Sequence, residues 1–262
     1  MKQRFTLSLC LLLALSGAVQ AADNRVEHLT VRGKSEVKKD SELLALVVKL
    51  DAANSAGDRA GLEEQAKALA ALAAKQESAI RRHFEGLANY LIASQAEGPK
   101  NPQGLAALDR AIAALERALE LAPKFSESMS YLGSSYGSRI GAGDNPMLDG
   151  MKYGPQADRA MKTASAADPD NPIVRLNQGI NLLFTPEAWG GSAEGAMAEF
   201  KKARELDPGY VDAKVWTAVG MFRVEKQKEG AALFAKIKRE HPEDKRVEGF
   251  EMVAKFLPEM VD

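Results

Sequence analysis

Three histidines, one cysteine and a scatter of carboxylates are the groups in this 262-residue chain able to supply acid–base, nucleophilic or metal chemistry. His28, His83 and His241 lie far apart, and no two stand at the i, i+4 spacing that sets two imidazoles on one helix face around zinc. His241 precedes Pro242 and reads as a surface residue, while His83 among Arg81, Arg82 and Glu85 predicts a solvated helix face. Gly141-Ala-Gly-Asp-Asn-Pro146 opens like a dinucleotide fingerprint, but Pro146 stands where the third glycine is needed. A G-x4-G-K-[ST] phosphate cradle is absent, and Asp144 and Asp149 do not fit a calcium loop. Ser134, Ser135, Tyr136 and Ser138 gather hydroxyls with no base in the neighbouring sequence. The expectation is therefore no catalytic residue, no cofactor site and no metal ligand.

Cys10 sits inside a targeting signal. Lys2 and Arg4 precede an apolar run from Phe5 to Val19, and small residues close it at Ala18-Val19-Gln20-Ala21. This succession predicts a secretory signal peptide over residues 1–21, cleaved after Ala21. The run of 15 residues is short of the ~20 needed to span a bilayer. Leu9 occupies the place where a lipoprotein signal needs a small residue before Cys10. The mature chain is then exported, periplasmic in a Gram-negative host and secreted otherwise, with no transmembrane segment. It carries 33 Lys and Arg against 36 Asp and Glu, which excludes a strongly basic nucleic-acid binder. It retains no thiol for a disulfide or a cysteine nucleophile.

Composition points to helices. Hydrophobic residues make up 45% and aromatics only 6%, while alanine, the best helix former, occurs 43 times. Four prolines end Ala-rich segments at equivalent places. The ladders above them read Ala111, Leu115, Ala118, Pro123; Ala157, Met161, Ala164, Pro169; Ala196, Phe200, Ala203, Pro208; and Gly230, Phe234, Ile237, Pro242. Offsets of 4 and 3 put three side chains on one helical stripe, and the proline stops the helix. Upstream of each ladder lies another amphipathic segment with a small residue at its centre: Ala88, Gly133, Gly179 and Ala218.

These paired patterns resemble the tetratricopeptide repeat (TPR), W-x2-L-G-x2-Y followed by A-x3-F-x2-A and P. Met129, Leu132, Gly133 and Tyr136 match its first half best, Phe84, Leu87, Ala88 and Leu91 also match, and Ala218 and Met221 match more weakly. The resemblance implies an all-α, right-handed solenoid of about four helix hairpins over residues 80–243. Residues 22–40 are expected as a flexible lead-in, 41–79 as N-terminal helices (a degenerate repeat or a cap) and 244–262 as a C-terminal capping helix. Pro208 to Pro242 keeps the 34-residue period, whereas the two preceding intervals are 39 and 46. All the added chain falls between the two helices of a hairpin, in three Gly-, Pro- and Asn-rich stretches at 96–104, 141–155 and 185–192 that read as loops.

In such a stack the first helix of each repeat lines a concave groove. Carried over by position, that groove includes Asn89, Ser130, Ser134 and Ser138 at a polar end and Leu176, Ile180, Leu183 and Phe184 at an apolar end, either open or covered by the protein's own loops or C-terminal helix. The inserts share one edge and bring Met147, Tyr153 and Trp189 to it as a candidate binding rim. The resemblance implies a non-catalytic module for a protein or peptide partner. A ligand-handling subunit beside a solute-binding protein or transporter is the alternative, and an enzyme of unknown class the third.

Overall fold

The computed structural model describes residues 28–96 and 101–261, so the expected signal peptide at 1–21 lies outside the described residues. Among them there is no strand. The helices are α1 (Lys34–Lys39), α2 (Ser41–Ala56), α3 (Arg59–Lys75), α4 (Ala79–Ser94), α5 (Pro102–Leu121) and α6 (Ser126–Ala142). They continue as α7 (Pro146–Ala167), α8 (Pro172–Phe184), α9 (Ala193–Leu206), α10 (Val211–Arg223), α11 (Gln227–Glu240) and α12 (Arg246–Val261). Helices α2 to α11 pair in order as antiparallel hairpins, and α12 caps the stack by packing on α10 and α11.

The four ladders are the inward stripes of α5, α7, α9 and α11. Leu115, Phe200 and Phe234 are fully buried, and Met161 nearly so. Their first helices cross them at the small residues. A Cβ built on Gly133 would stand 3.2 Å from the Ala157 carbonyl oxygen, and one on Gly179 would stand 3.2 Å from that of Ala196. The α4–α5 hairpin corrects the expected register. Its close crossing is at Gly86, where a Cβ would meet Leu115 Cγ at 2.6 Å, and not at Ala88. The helix turns its residue without a Cβ toward the partner, and the Leu-then-small pair Leu87-Ala88 only imitates Leu132-Gly133.

The second insert is largely helix instead of loop, and the described end of the first, Pro102–Gly104, opens a helix. Asn145 Oδ1 accepts the Leu148 amide at 3.2 Å and Pro146 opens α7, which runs 22 residues through Gly150, Tyr153 and Pro155. Asn101 Oδ1 likewise caps Gln103 and Gly104, with Pro102 opening the 20-residue α5. Asparagine supplies the cap and proline the preset first-turn φ. The third insert, after Phe184, is the expected loop, with a short 3-10 turn at Glu187–Trp189.

The first helices of successive hairpins, α2, α4, α6, α8 and α10, touch in sequence along the inner side, and α12 continues the row. The row closes on itself, because α12 meets α2 and the Lys245 amide donates to the Ser55 carbonyl at 2.8 Å.

Candidate functional site

The expected groove is filled by the chain itself. At its centre Tyr131 and Tyr210 are buried, and burial pushes both phenols well above their ordinary pKa. Arg246, at the start of α12, donates to Asp212 at 2.9 Å and to Asp244 at 2.6 Å. Burial opposes its charge, but the two carboxylates outweigh that penalty and raise its pKa. At the apolar end Leu176 and Leu183 are buried, Ile180 is half-buried, and Phe184 keeps 37% exposure. Trp216 of α10 meets Phe184 edge-on at 5.9 Å and Phe250 of α12 at 5.2 Å. The C-terminal helix is thus the cover of that end.

The polar end holds the segment expected to be flexible. From residue 28 the lead-in is packed, with Leu29, Thr30 and Val37 buried. Thr30 Oγ1 donates to Glu127 Oε2 at 2.5 Å, and the Val31 and Arg32 amides donate to Oε1 at 2.8 and 2.9 Å. Arg32 forks onto Asp168, with Nε on Oδ2 at 2.6 Å and Nη2 on Oδ1. That guanidinium holds the Asp168 carboxyl below its ordinary pKa. His28 stacks on Tyr210 with centroids 6.0 Å apart and places Nδ1 3.6 Å from Asp207. The hydrogen bonds to Glu127 and Asp168 span 95 to 136 residues of sequence.

The remaining candidate groove residues separate. Ser130 is buried, donating to the Glu127 carbonyl at 3.0 Å and accepting from Asn177 at 2.9 Å, so it ties α6 to α8. Ser134 and Ser138 lie beside the Tyr90 hydroxyl, with Ser138 exposed. Asn89 is no groove residue: it accepts from Arg110 of α5 at 2.8 Å, inside its own hairpin. The two-residue shift in the register of the α4–α5 hairpin places it on a different face. His83 is also not solvated. It is fully buried among Phe84, Phe125 and Tyr131, with Nδ1 2.9 Å from Ser128 Oγ.

The insert edge carries what the groove lacks. Met147 is 73% exposed and Trp189 63%, with Leu148 and Met151 comparably open on the first turns of α7. A Cβ on Gly150 would stand 3.9 Å from the Trp189 ring, so the second and third inserts are neighbours. Tyr153 is half-buried, stacked on Tyr136 at 5.8 Å and overlain by the Lys152 ammonium at 4.6 Å. No group of three or more His, Cys, Asp or Glu stands ready for a metal among the described residues. None of the described helices is long and apolar enough to cross a membrane.

No protein-family model matches the sequence, and no curated protein matches it either. Among solved structures the chain is similar to a thermophilic TPR protein of Thermus thermophilus. The TM-score is 0.54 at 16% identity, over 76% of this chain and 91% of that one. The likeness is one of fold: an all-α, TPR-like solenoid.

Proposed function

We propose that this chain is an exported, non-catalytic protein-interaction module whose partner surface is the insert edge and not the groove. A TPR-like fold favours a protein partner in general. The observation that carries the choice of surface is the contrast between the two faces. The concave side is occupied by residues 28–33, two tyrosines and α12. Met147, Leu148, Met151 and Trp189 together present apolar side chains 61 to 73% exposed. Clustered exposed apolar groups with a tryptophan among them are the usual anchors of an interface.

Capture from the cell envelope with the parent chain and with Met151→Asp and Trp189→Ala tests this. Both substitutions should abolish capture of the partner while moving the melting temperature little, since neither side chain is buried. Capture that survives both, but is lost with Phe184→Ala, would transfer the role to the groove. Export is tested by the intact mass of the protein from its native host, which should begin at Ala22. A full-length cytoplasmic product would refute it.

A further inference from the structure

Residues 28–33, helical at His28 and Leu29 and bent over 31–33, cross the N-terminal ends of α6, α8 and α10 as a strap. Glu127 receives three of its donors from the strap: one hydroxyl and two consecutive amides. The receiving groups are fixed without it. Asn171 Nδ2 bridges Glu127 Oε1 at 2.8 Å and Asp168 Oδ2 at 3.0 Å, and Ser126 Oγ donates to Asp168 at 2.9 Å. Glu127 lies in the first turn of α6, where the dipole favours negative charge, and Asp168 caps the C-terminus of α7, held by Asn171 and Ser126. The dock is preorganised, and it holds two carboxylates against one arginine. The strap is open on one flank, with 52% of the Arg32 side chain exposed against 11% of Asp168. Its N–H groups at Val31 and Arg32 are aligned by the strap's own turn, in which the Gly33 amide donates to Thr30 Oγ1 at 2.9 Å.

We propose that this dock, built from Glu127, Asp168 and Asn171, is a recognition site for a bent basic segment of the form Thr-x-Arg. The strap occupies it in cis, and a partner segment of the same chemistry displaces the strap. Threonine followed by two free amides satisfies Glu127, and arginine two residues on matches Asp168 with a planar fork that lysine cannot reproduce. Asp207 and Tyr210 extend the dock toward the residue two positions before the threonine, where the strap places His28. Release of the strap swings about Gly33 and leaves α1, anchored by Val37, in place. This site is independent of the insert edge.

The test uses the full chain and a fluorescein-labelled peptide of residues 24–36. A bound strap lowers the apparent affinity of the dock by the fraction of time it is occupied. The Arg32→Glu chain, its own strap weakened, should bind the peptide at least ten-fold more tightly than the parent. The same peptide carrying Arg32→Glu, or a chain with Asp168→Lys added, should not bind. Equal binding by parent and variant, or none by a variant of native helix content, overturns the proposal. Hydrogen exchange on the unmodified chain keeps it falsifiable if Arg32→Glu does not fold. The Val31 and Arg32 amides should exchange at least ten-fold faster than those of Leu132 and Leu176, and faster again when the peptide is in excess. Exchange as slow as at Leu132 and Leu176 would make the strap a fixed part of the core and refute its displacement.

Discussion

Two glycines in neighbouring inner helices should respond to the same substitution with opposite signs. At Gly179 in α8, a new Cβ would stand 2.5 Å from Phe200 Cε1 and 2.6 Å from Cδ1. Carbon atoms in contact sit ~3.5–4.0 Å apart, so the shortfall is about 1 Å. Phe200 cannot yield easily. It is fully buried, its opposite edge would lie 3.2 Å from a Cβ on Gly220, and Trp216 stacks on it at 6.5 Å. The Ala196 carbonyl, 3.2 Å away, limits sliding of the helices. Overpacking of this kind costs about 1–3 kcal/mol, and alanine returns about 1 kcal/mol of helix propensity. With the ring held on both edges, Gly179→Ala should lose about 2 kcal/mol. At Gly137 in α6 the nearest atom to a new Cβ is Asn181 Oδ1 at 3.8 Å, an ordinary contact. Gly137→Ala should therefore gain about 0.5–1 kcal/mol. Thermal unfolding followed by circular dichroism at ~222 nm should place the two variants about 6 °C or more apart on either side of the parent. A Gly179→Ala protein that melts at or above the parent, or two variants shifted in the same direction, would show that α8 and α9 do not cross at this glycine.

Burial lowers the pKa of His83 to about 3, against ~6.5 in an unfolded chain. Between those values the unfolded state holds the extra proton, so stability falls as pH drops below ~6.5. From pH ~7 to ~5 the loss from this residue should be about 2 kcal/mol in urea midpoints, and His83→Gln should remove that part of the slope. Arg246→Met leaves Asp212 and Asp244 facing each other without their shared cation and should cost about 3–5 kcal/mol. Adding Asp212→Asn should restore part of it, and a single-variant loss below ~1 kcal/mol would show that the pair is not held by Arg246.

The repeat is legible in the sequence because its signal is local and recurs. Each ladder runs thirteen residues from its first rung to its proline, and the side chains it names are buried in α5, α7, α9 and α11. The structure departs from the sequence reading where a short-range cue has two meanings. Asn101-Pro102 and Asn145-Pro146 have loop composition, yet the same dipeptide caps a helix, as Asn171-Pro172 does at α8. In α4 two small residues stand two apart, and only the ladder's distance from Gly86 to Leu115 distinguishes them. The strap leaves no cue at all. Thr30 and Arg32 meet partners about a hundred residues away, and a polar segment that satisfies buried carboxylates has the composition of one that satisfies water. His83 misleads for the related reason that Arg81 and Arg82 beside it are charged. Arg81 is itself drawn inward, by Asp40 at 2.7 Å and the Gln76 carbonyl at 3.0 Å.

An open spring of repeats can be lengthened by copying a coil at either end or in the middle. The meeting of α12 with α2 forbids that here. One further hairpin would force Lys245 away from Ser55 and turn Arg246 out of its place beside Tyr131 and Tyr210, so the number of coils is fixed by the closure. The hairpin ends on the insert edge remain free, because chain added there extends outward from the row instead of opening it. Added length is therefore accommodated in α7 and in the loop after α8, where the 46- and 39-residue intervals exceed the plain 34.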